Sequence, residues 1–171
     1  LGEGGMGRVY LAEQLRPVQR KVALKLIREQ VASPLARAYF DVERQALAQM
    51  QHPAIARVFD AGTTGDGHPY LAMELVEGAP LTHYCREHAL DRNARIALFE
   101  RICHGVQHAH QKGIIHRDLK PSNVLVREID GEPSPIIIDF GIAIGGGASP
   151  HEGVAARAQQ RARGHVRLHE S

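Results

Sequence analysis

Apolar and polar positions alternate with a period of two in two short runs near the start of the chain, residues 8–13 and 21–27, and that period predicts β-strands. In the second run Val22, Leu24 and Leu26 occupy one face and Ala23, Lys25 and Ile27 the other, so a lysine shares its face with a small apolar residue. The period then changes. Ser33-Pro34 carries a helix-start signature, an N-cap followed by proline at the first helical position. His52-Pro53 ends that helix at about Met50. Phe40, Leu47 and Met50 fall on one stripe of it, and Glu43 falls on the same stripe. A carboxylate there is costly unless it meets a cation. Residues 55–61 and 69–74 predict two more strands, separated by the turn-rich segment 63–67. From Leu81 the pattern is mainly helical, with a long amphipathic segment from its N-cap at about Asp91 to Lys112, stopped by Gly113. Residues 124–126 and 136–138 are short strand-like runs joined through Asp130-Gly131, a hairpin signal. The expected class is α+β: a small β-rich lobe with one helix, a connector near residues 74–78, and the beginning of a mainly helical lobe. A cleft between two such lobes is a natural ligand site.

Composition narrows the picture. A chain of 171 residues is long enough for about one domain, and 43% hydrophobic with 23% charged residues excludes a disordered or fibrous chain. No apolar run approaches the roughly 18 to 20 residues that a membrane span needs, and no secretory leader opens the chain, so a cytoplasmic protein is expected. Cys85 and Cys103 are too few and too far apart for a disulfide framework or a zinc or redox pair, and two reduced thiols are expected. The formal charge of +2 is unevenly placed: residues 1–143 sum to zero, while 144–171 carry Arg157, Arg161, Arg163 and Arg167 against Glu152 and Glu170. That tail has no aromatic residue and no sustained periodicity, and reads as a disordered basic segment. It is open to three readings: a frameshifted continuation of the preceding gene, a basic appendage for nucleic acid or acidic lipid, or a linker. The basic signal is thin, and no nucleic-acid partner is expected.

Candidate chemistry gathers at four places. Gly2, Gly4, Gly7 and Val9 complete a GxGxxGxV pattern. A dinucleotide site uses similar glycines, but it requires a helix straight after them and an acid roughly 20 residues on, whereas here a strand-like run follows and residue 25 is lysine. A glycine loop folding over phosphates between two strands fits better. Lys25 and Glu43, each awkward alone, would resolve one another as an ion pair. The segment His116-Arg117-Asp118-Leu119-Lys120-Pro121-Ser122-Asn123 lies between a helix and a strand, and Asp139-Phe140-Gly141 ends the next strand. Asn123 and Asp139 offer hard oxygen ligands suited to Mg²⁺, and Asp118 remains to receive or orient a hydroxyl proton. His104 and His108 stand one helical turn apart, but structural zinc wants four ligands and none is spaced to join them, so they read as solvated or core-edge histidines.

On these motifs residues 1–143 resemble the eukaryotic-type serine/threonine protein kinases, in particular the bacterial members. The resemblance implies a protein-kinase-like fold, with an N-lobe over about 1–73, a hinge at 74–78 and a partial C-lobe over 79–143. It implies ATP and Mg²⁺ as cofactors and a Ser/Thr protein substrate. Gly2, Gly4 and Gly7 would cover the phosphates, Val9 and Ala23 would roof the adenine, and Leu125 would floor it. Lys25 would hold the α/β-phosphates and pair with Glu43. Met73 would be the gatekeeper, with the backbone of Glu74 and Val76 meeting the adenine edge. Asp118 would be the catalytic aspartate, Lys120 a contact to the γ-phosphate, and Asn123 and Asp139 the Mg²⁺ ligands. Leu47, Val58, His116 and Phe140 would stack as a spine between the lobes. The resemblance stops after Ala143, and with Leu1 standing directly before the glycines the chain reads as a kinase domain cut at both ends. A nucleotide-binding pseudokinase or scaffold and an inactive truncated product are the alternative readings.

Overall fold

The computed structural model describes residues 2–4, 7–27 and 34–140, so Ser33 and the basic tail lie outside the described residues. Strands β1 (Gly2–Gly4), β2 (Gly7–Gln14), β3 (Arg20–Ile27), β4 (Val58–Thr63) and β5 (Pro69–Glu74) form an antiparallel five-stranded sheet in the order β1-β2-β3-β5-β4. Helix α1 (Pro34–Ala48) intervenes between β3 and β4. Beyond Glu74 come β6 (Ala79–Pro80), α2 (Leu81–Glu87) and α3 (Arg92–Gln111). A 3-10 turn over Pro121–Asn123 then leads into β7 (Val124–Ile129) and β8 (Glu132–Ile137), and a second sheet has the order β6-β7-β8.

The local causes are those the sequence announces. In β3 the face carrying Ala23, Lys25 and Ile27 is buried, as the period of two requires. Helix α3 starts where the Asp91 carboxylate accepts a hydrogen bond from the Ala94 N–H at 2.8 Å, and it buries Leu98, Ile102, Gly105 and Ala109, a stripe at helical spacing. Its last turn closes when Ile114 N–H donates to the Ala109 carbonyl at 2.9 Å.

Two expectations are corrected. The strand expected over 55–61 begins only at Val58. After Pro53 the backbone is drawn to the other sheet: Ala56 N–H donates to the Ile137 carbonyl at 3.0 Å and Ile137 N–H to the Ala54 carbonyl at 2.8 Å, a parallel bridge that uses up residues 54–56. The hairpin strands also run further than expected, to Ile129 and from Glu132. Pro133 and Pro135 hide β8 from pattern reading, yet β8 is an edge strand, where a missing N–H is tolerated. Asp130 and Gly131 both take positive φ, 53° and 80°, as a two-residue hairpin turn demands.

One core joins the lobes. Ala23, Leu71 and Met73 of the first sheet pack with Leu47, Met50 and Ile55, and this cluster continues into Ile102, Ala109, Ile114, Val124, Ile137 and Phe140. Ile137 is fully buried at the centre of that continuity. The consequence is functional: Lys25 on β3 and Asp139 after β8, 114 positions apart in sequence, are held against each other by shared packing rather than by a linker alone.

Candidate functional site

Lys25 projects from the buried face of β3 and is only 4% exposed. Its ammonium meets the Asp139 carboxylate directly, an ion pair between side chains 6% and 30% exposed. Burial of a lysine is sustained by that partner and by the open side of Asp139, which keeps part of its hydration. The expected Glu43 partner sits on α1, but its side chain lies outside the described residues. Asp139 has φ 69° and Arg117 has φ 66°, left-handed conformations that L side chains adopt only when their surroundings impose them. Such strain gathers at functional sites, and here it bends the chain on both sides of the same small region.

A second group stands on the loop between α3 and β7. The Asp118 carboxylate accepts from the Lys120 ammonium at 2.7 Å and from the Asn123 amide at 3.2 Å, while the same amide donates to the Asp118 carbonyl at 2.8 Å. The Lys120 hydrogen bond is the largest influence on the Asp118 carboxyl and lowers it; burial, next in size, opposes this, and the Lys120 charge, Asn123 and His116 add to the lowering, so the carboxyl stays below its ordinary value. Asp118 is therefore an ionised acceptor at neutral pH. Its own N–H donates to His116 Nδ1 at 3.3 Å, which leaves the proton on Nε2, and Nε2 donates to the Ile138 carbonyl at 3.0 Å. Ile138 N–H in turn donates to the Asn123 carbonyl at 2.9 Å. Through Ile138, the Asp118 loop and the Asp139 carboxylate are fixed to one another. The His116 ring also packs on Phe140, centroids 4.7 Å apart, and Phe140 and Leu47 belong to the shared core with Val58 packed against it.

Glycine-bearing β1 pairs with β2, Gly2 opposite Val9 and Gly4 opposite Gly7. Gly7 is at φ 156°, and a Cβ there would lie 2.1 Å from the Leu26 carbonyl oxygen, so no other residue fits without opening β2 from β3. Val9 is half-buried opposite Lys25, and Ala23 is buried with Leu11 and Met73 as its strand neighbours. Met73, 7% exposed, thus closes the back of the sheet beside Ala23. Glu74 and Val76 follow in the connector, half-buried, and half-buried Leu125 stands on β7. The sequence reading missed one interaction: the Glu74 carboxylate accepts from the Arg127 guanidinium at 2.8 Å and from the Arg57 N–H at 3.3 Å. Its signal was a charge two residues from Leu125, on the same face of a strand.

The donor set suits a hard divalent cation and an anionic ligand. Asn123 spends its amide N–H groups on Asp118, which leaves its side-chain oxygen as an acceptor, and Asp139 adds a partly open carboxylate; oxygen-only donors of this kind fit Mg²⁺. Among the described residues no group of three or more His, Cys, Asp or Glu side chains is placed to hold a metal.

Comparison with known proteins agrees with this geometry. The chain is 39% identical over 144 residues to the serine/threonine-protein kinase pkn2 of Myxococcus xanthus, a match covering 84% of this chain and 17% of that protein. It is 37% identical over 148 residues to the serine/threonine-protein kinase PknB of Mycobacterium tuberculosis, covering 84% of this chain and 23% of that one. The structure superposes on the crystal structure of the Mycobacterium tuberculosis PknI kinase domain with a TM-score of 0.68 at 32% identity, over 84% of this chain and 58% of that domain. The chain thus spans about a fifth of the length of these curated relatives. With the protein kinase domain family matching residues 1–157, from the glycine strand through the Asp139 segment and on past Ala143, the expected end of the resemblance, the chain belongs to the protein kinase domain family.

Proposed function

We propose that this chain carries the ATP-binding and phosphoryl-transfer part of a serine/threonine protein kinase, moving the γ-phosphoryl of ATP to a Ser or Thr hydroxyl of a protein. The observation that carries the reading is the meeting of Lys25 with Asp139 beside the Asp118, Lys120 and Asn123 group, five polar side chains from three separated segments. A structural ion pair alone would not need the second group, nor the left-handed backbone at Arg117 and Asp139.

In this reading Gly2, Gly4 and Gly7 present backbone N–H groups to the phosphates, and Val9, Ala23 and Leu125 enclose the adenine. Met73 limits the depth of the adenine site, and the peptide groups of Glu74 and Val76 meet its polar edge. Lys25 holds the α/β-phosphates. Asn123 and Asp139 would hold Mg²⁺, which when bound neutralises phosphate oxygens. The substrate hydroxyl approaches Asp118, whose carboxylate, kept ionised by Lys120, accepts the hydroxyl proton as the new O–P bond forms and the bond from the γ-phosphorus to the β,γ-bridging oxygen breaks; ADP departs. Lys120, paired with Asp118 and half exposed, supplies a positive charge to the transferring group. Most of the work is positioning, which fits a site whose loop residues are pinned by hydrogen bonds to Ile138 and packed against the shared core through Phe140. Use of ATP fits a cytoplasmic location, and among the described residues no helix is long and apolar enough to cross a membrane.

The test is incubation of the protein with γ-labelled ATP, Mg²⁺ and a Ser/Thr-containing protein, followed by acid hydrolysis. Label recovered as phosphoserine or phosphothreonine supports the reading. Release of inorganic phosphate alone, or label on tyrosine alone, contradicts it.

A further inference from the structure

The connector between the lobes meets strand β7 at both of its ends. At its start, the Glu74 carboxylate accepts from Arg127 on β7 at 2.8 Å, and its other oxygen accepts from the Arg57 N–H at 3.3 Å. At its end, Gly78 lies so close to β7 that a Cβ would stand 2.6 Å from the Val126 carbonyl oxygen and 3.3 Å from the Arg127 nitrogen. Arg127 therefore holds the start of the five-residue stretch 74–78 through Glu74, while its end runs close along β7 at Val126. It also shares a strand face with Leu125, since residues two apart on β7 point the same way while Val124 and Val126 are buried in the core.

Arg127 is an expensive way to fill that place. Its side chain is 33% exposed, that of Glu74 is 21% exposed, and the Arg127 Nε is buried with no hydrogen-bond partner among the described residues. A guanidinium partly desolvated in this manner, with one donor unused, adds little net stability. What it does supply is direction: a planar fork that fixes a carboxylate, and with it the peptide that follows.

We propose that Arg127 is a positioning residue for the nucleotide base, holding the Glu74 carboxylate so that the backbone of the 74–78 connector stays aligned to bind the adenine edge. The inference rests on the ATP-binding reading above. It assigns no contact between Arg127 and the nucleotide; the effect passes through Glu74. It follows that Arg127 governs recognition of the base and leaves recognition of the phosphates, on the glycine strand and on Lys25, which pairs with Leu71 rather than with the Glu74 end of β5, largely untouched.

The experiment compares binding of ATP and of inorganic tripolyphosphate at one Mg²⁺ concentration by calorimetry, for the wild type, Arg127→Met and Arg127→Lys. The expected result for Arg127→Met is roughly tenfold weaker ATP binding, with tripolyphosphate binding unchanged. Arg127→Lys keeps the charge without the fork and is expected to shift the same ratio by a smaller factor. If Arg127→Met does not fold, Arg127→Lys decides alone. An unchanged ratio of the two affinities in the variants, with ATP bound as in the wild type or both ligands weakened equally, overturns the positioning role and leaves the ATP-binding reading standing. A wild type that binds no ATP overturns both.

Discussion

Replacing Lys25 with methionine separates what the site does from what holds the fold. Lys25 is 4% exposed, and methionine fills nearly the same stem volume, so packing around Ala23 and Ile27 is largely preserved. The loss is the charge opposite Asp139. Breaking one side of a fully buried pair costs about 3 to 5 kcal/mol, and an exposed pair is worth up to about 1 kcal/mol. The Asp139 side chain is 30% exposed and stays partly hydrated when orphaned, which puts Lys25→Met between these limits, at about 1 to 2 kcal/mol. For a chain of this size that corresponds to a drop in Tm of about 2 to 8 °C. Adding Asp139→Asn removes the stranded charge, so the double variant is expected to melt nearer the wild type than Lys25→Met does. Phosphoryl transfer behaves differently: losing a preorganised cation at the phosphates lowers the rate by roughly 10² to 10³ or more, and the second substitution does not restore it. Thermal denaturation by circular dichroism and label transfer from γ-labelled ATP on the same samples read the two effects. Near-normal transfer by Lys25→Met refutes the assigned role. A double variant that melts as low as the single one refutes the ion-pair account of the stability loss.

Three further outcomes follow from the packing and the titratable groups. Ile137→Ala, at a fully buried position touching both lobes, is expected to cost about 2 to 5 kcal/mol, measured by urea denaturation, and a cost below about 1 kcal/mol would show that this junction is not the shared core. Gly7→Ala puts a Cβ 2.1 Å from the Leu26 carbonyl oxygen, so it is expected to open the end of the β2–β3 pairing and weaken ATP binding at least about tenfold by calorimetry. His52 is held below its ordinary value of 6.5 by burial first and by the charges of His108 and His104 second, and its Nδ1 accepts from the Ala54 N–H at 3.1 Å. The unfolded chain therefore takes up this proton first as pH falls, and stability is lost below about that value; His52→Asn should flatten the dependence of Tm between about pH 7.5 and 5.5, and an unchanged slope would remove His52 as its source.

Much of this could be read from the residues because the local signals and the global fold agree. The glycine strand, the buried lysine of β3, the Asp91-capped helix and the Asp130-Gly131 turn each obey a short-range rule, and each appears where that rule puts it. The segment 54–56 did not, because its backbone bonds to Ile137, a partner more than 80 positions away that no local pattern encodes. Strand β8 was shortened in the reading because Pro133 and Pro135 argue against a strand unless it is known to lie at an edge. The site residues were legible as types at spacings. The contact of Lys25 with Asp139 was not: it joins two segments distant in sequence, and the expected pairing with Glu43 falls on a side chain outside the described residues. The tie between Arg127 and Glu74 was invisible for the same reason as the Ile137 bridge, being a matter of which strands become neighbours in space.

The central claim is that Asp118 receives the hydroxyl proton while the nucleotide is held by other residues. A single-turnover measurement of γ-phosphoryl transfer by Asp118→Asn, with ATP binding measured on the same sample, tests it most directly. The account predicts ATP affinity within about threefold of the wild type and a transfer rate lower by roughly 10² to 10⁴. Transfer at the wild-type rate, with ATP still bound, would contradict it.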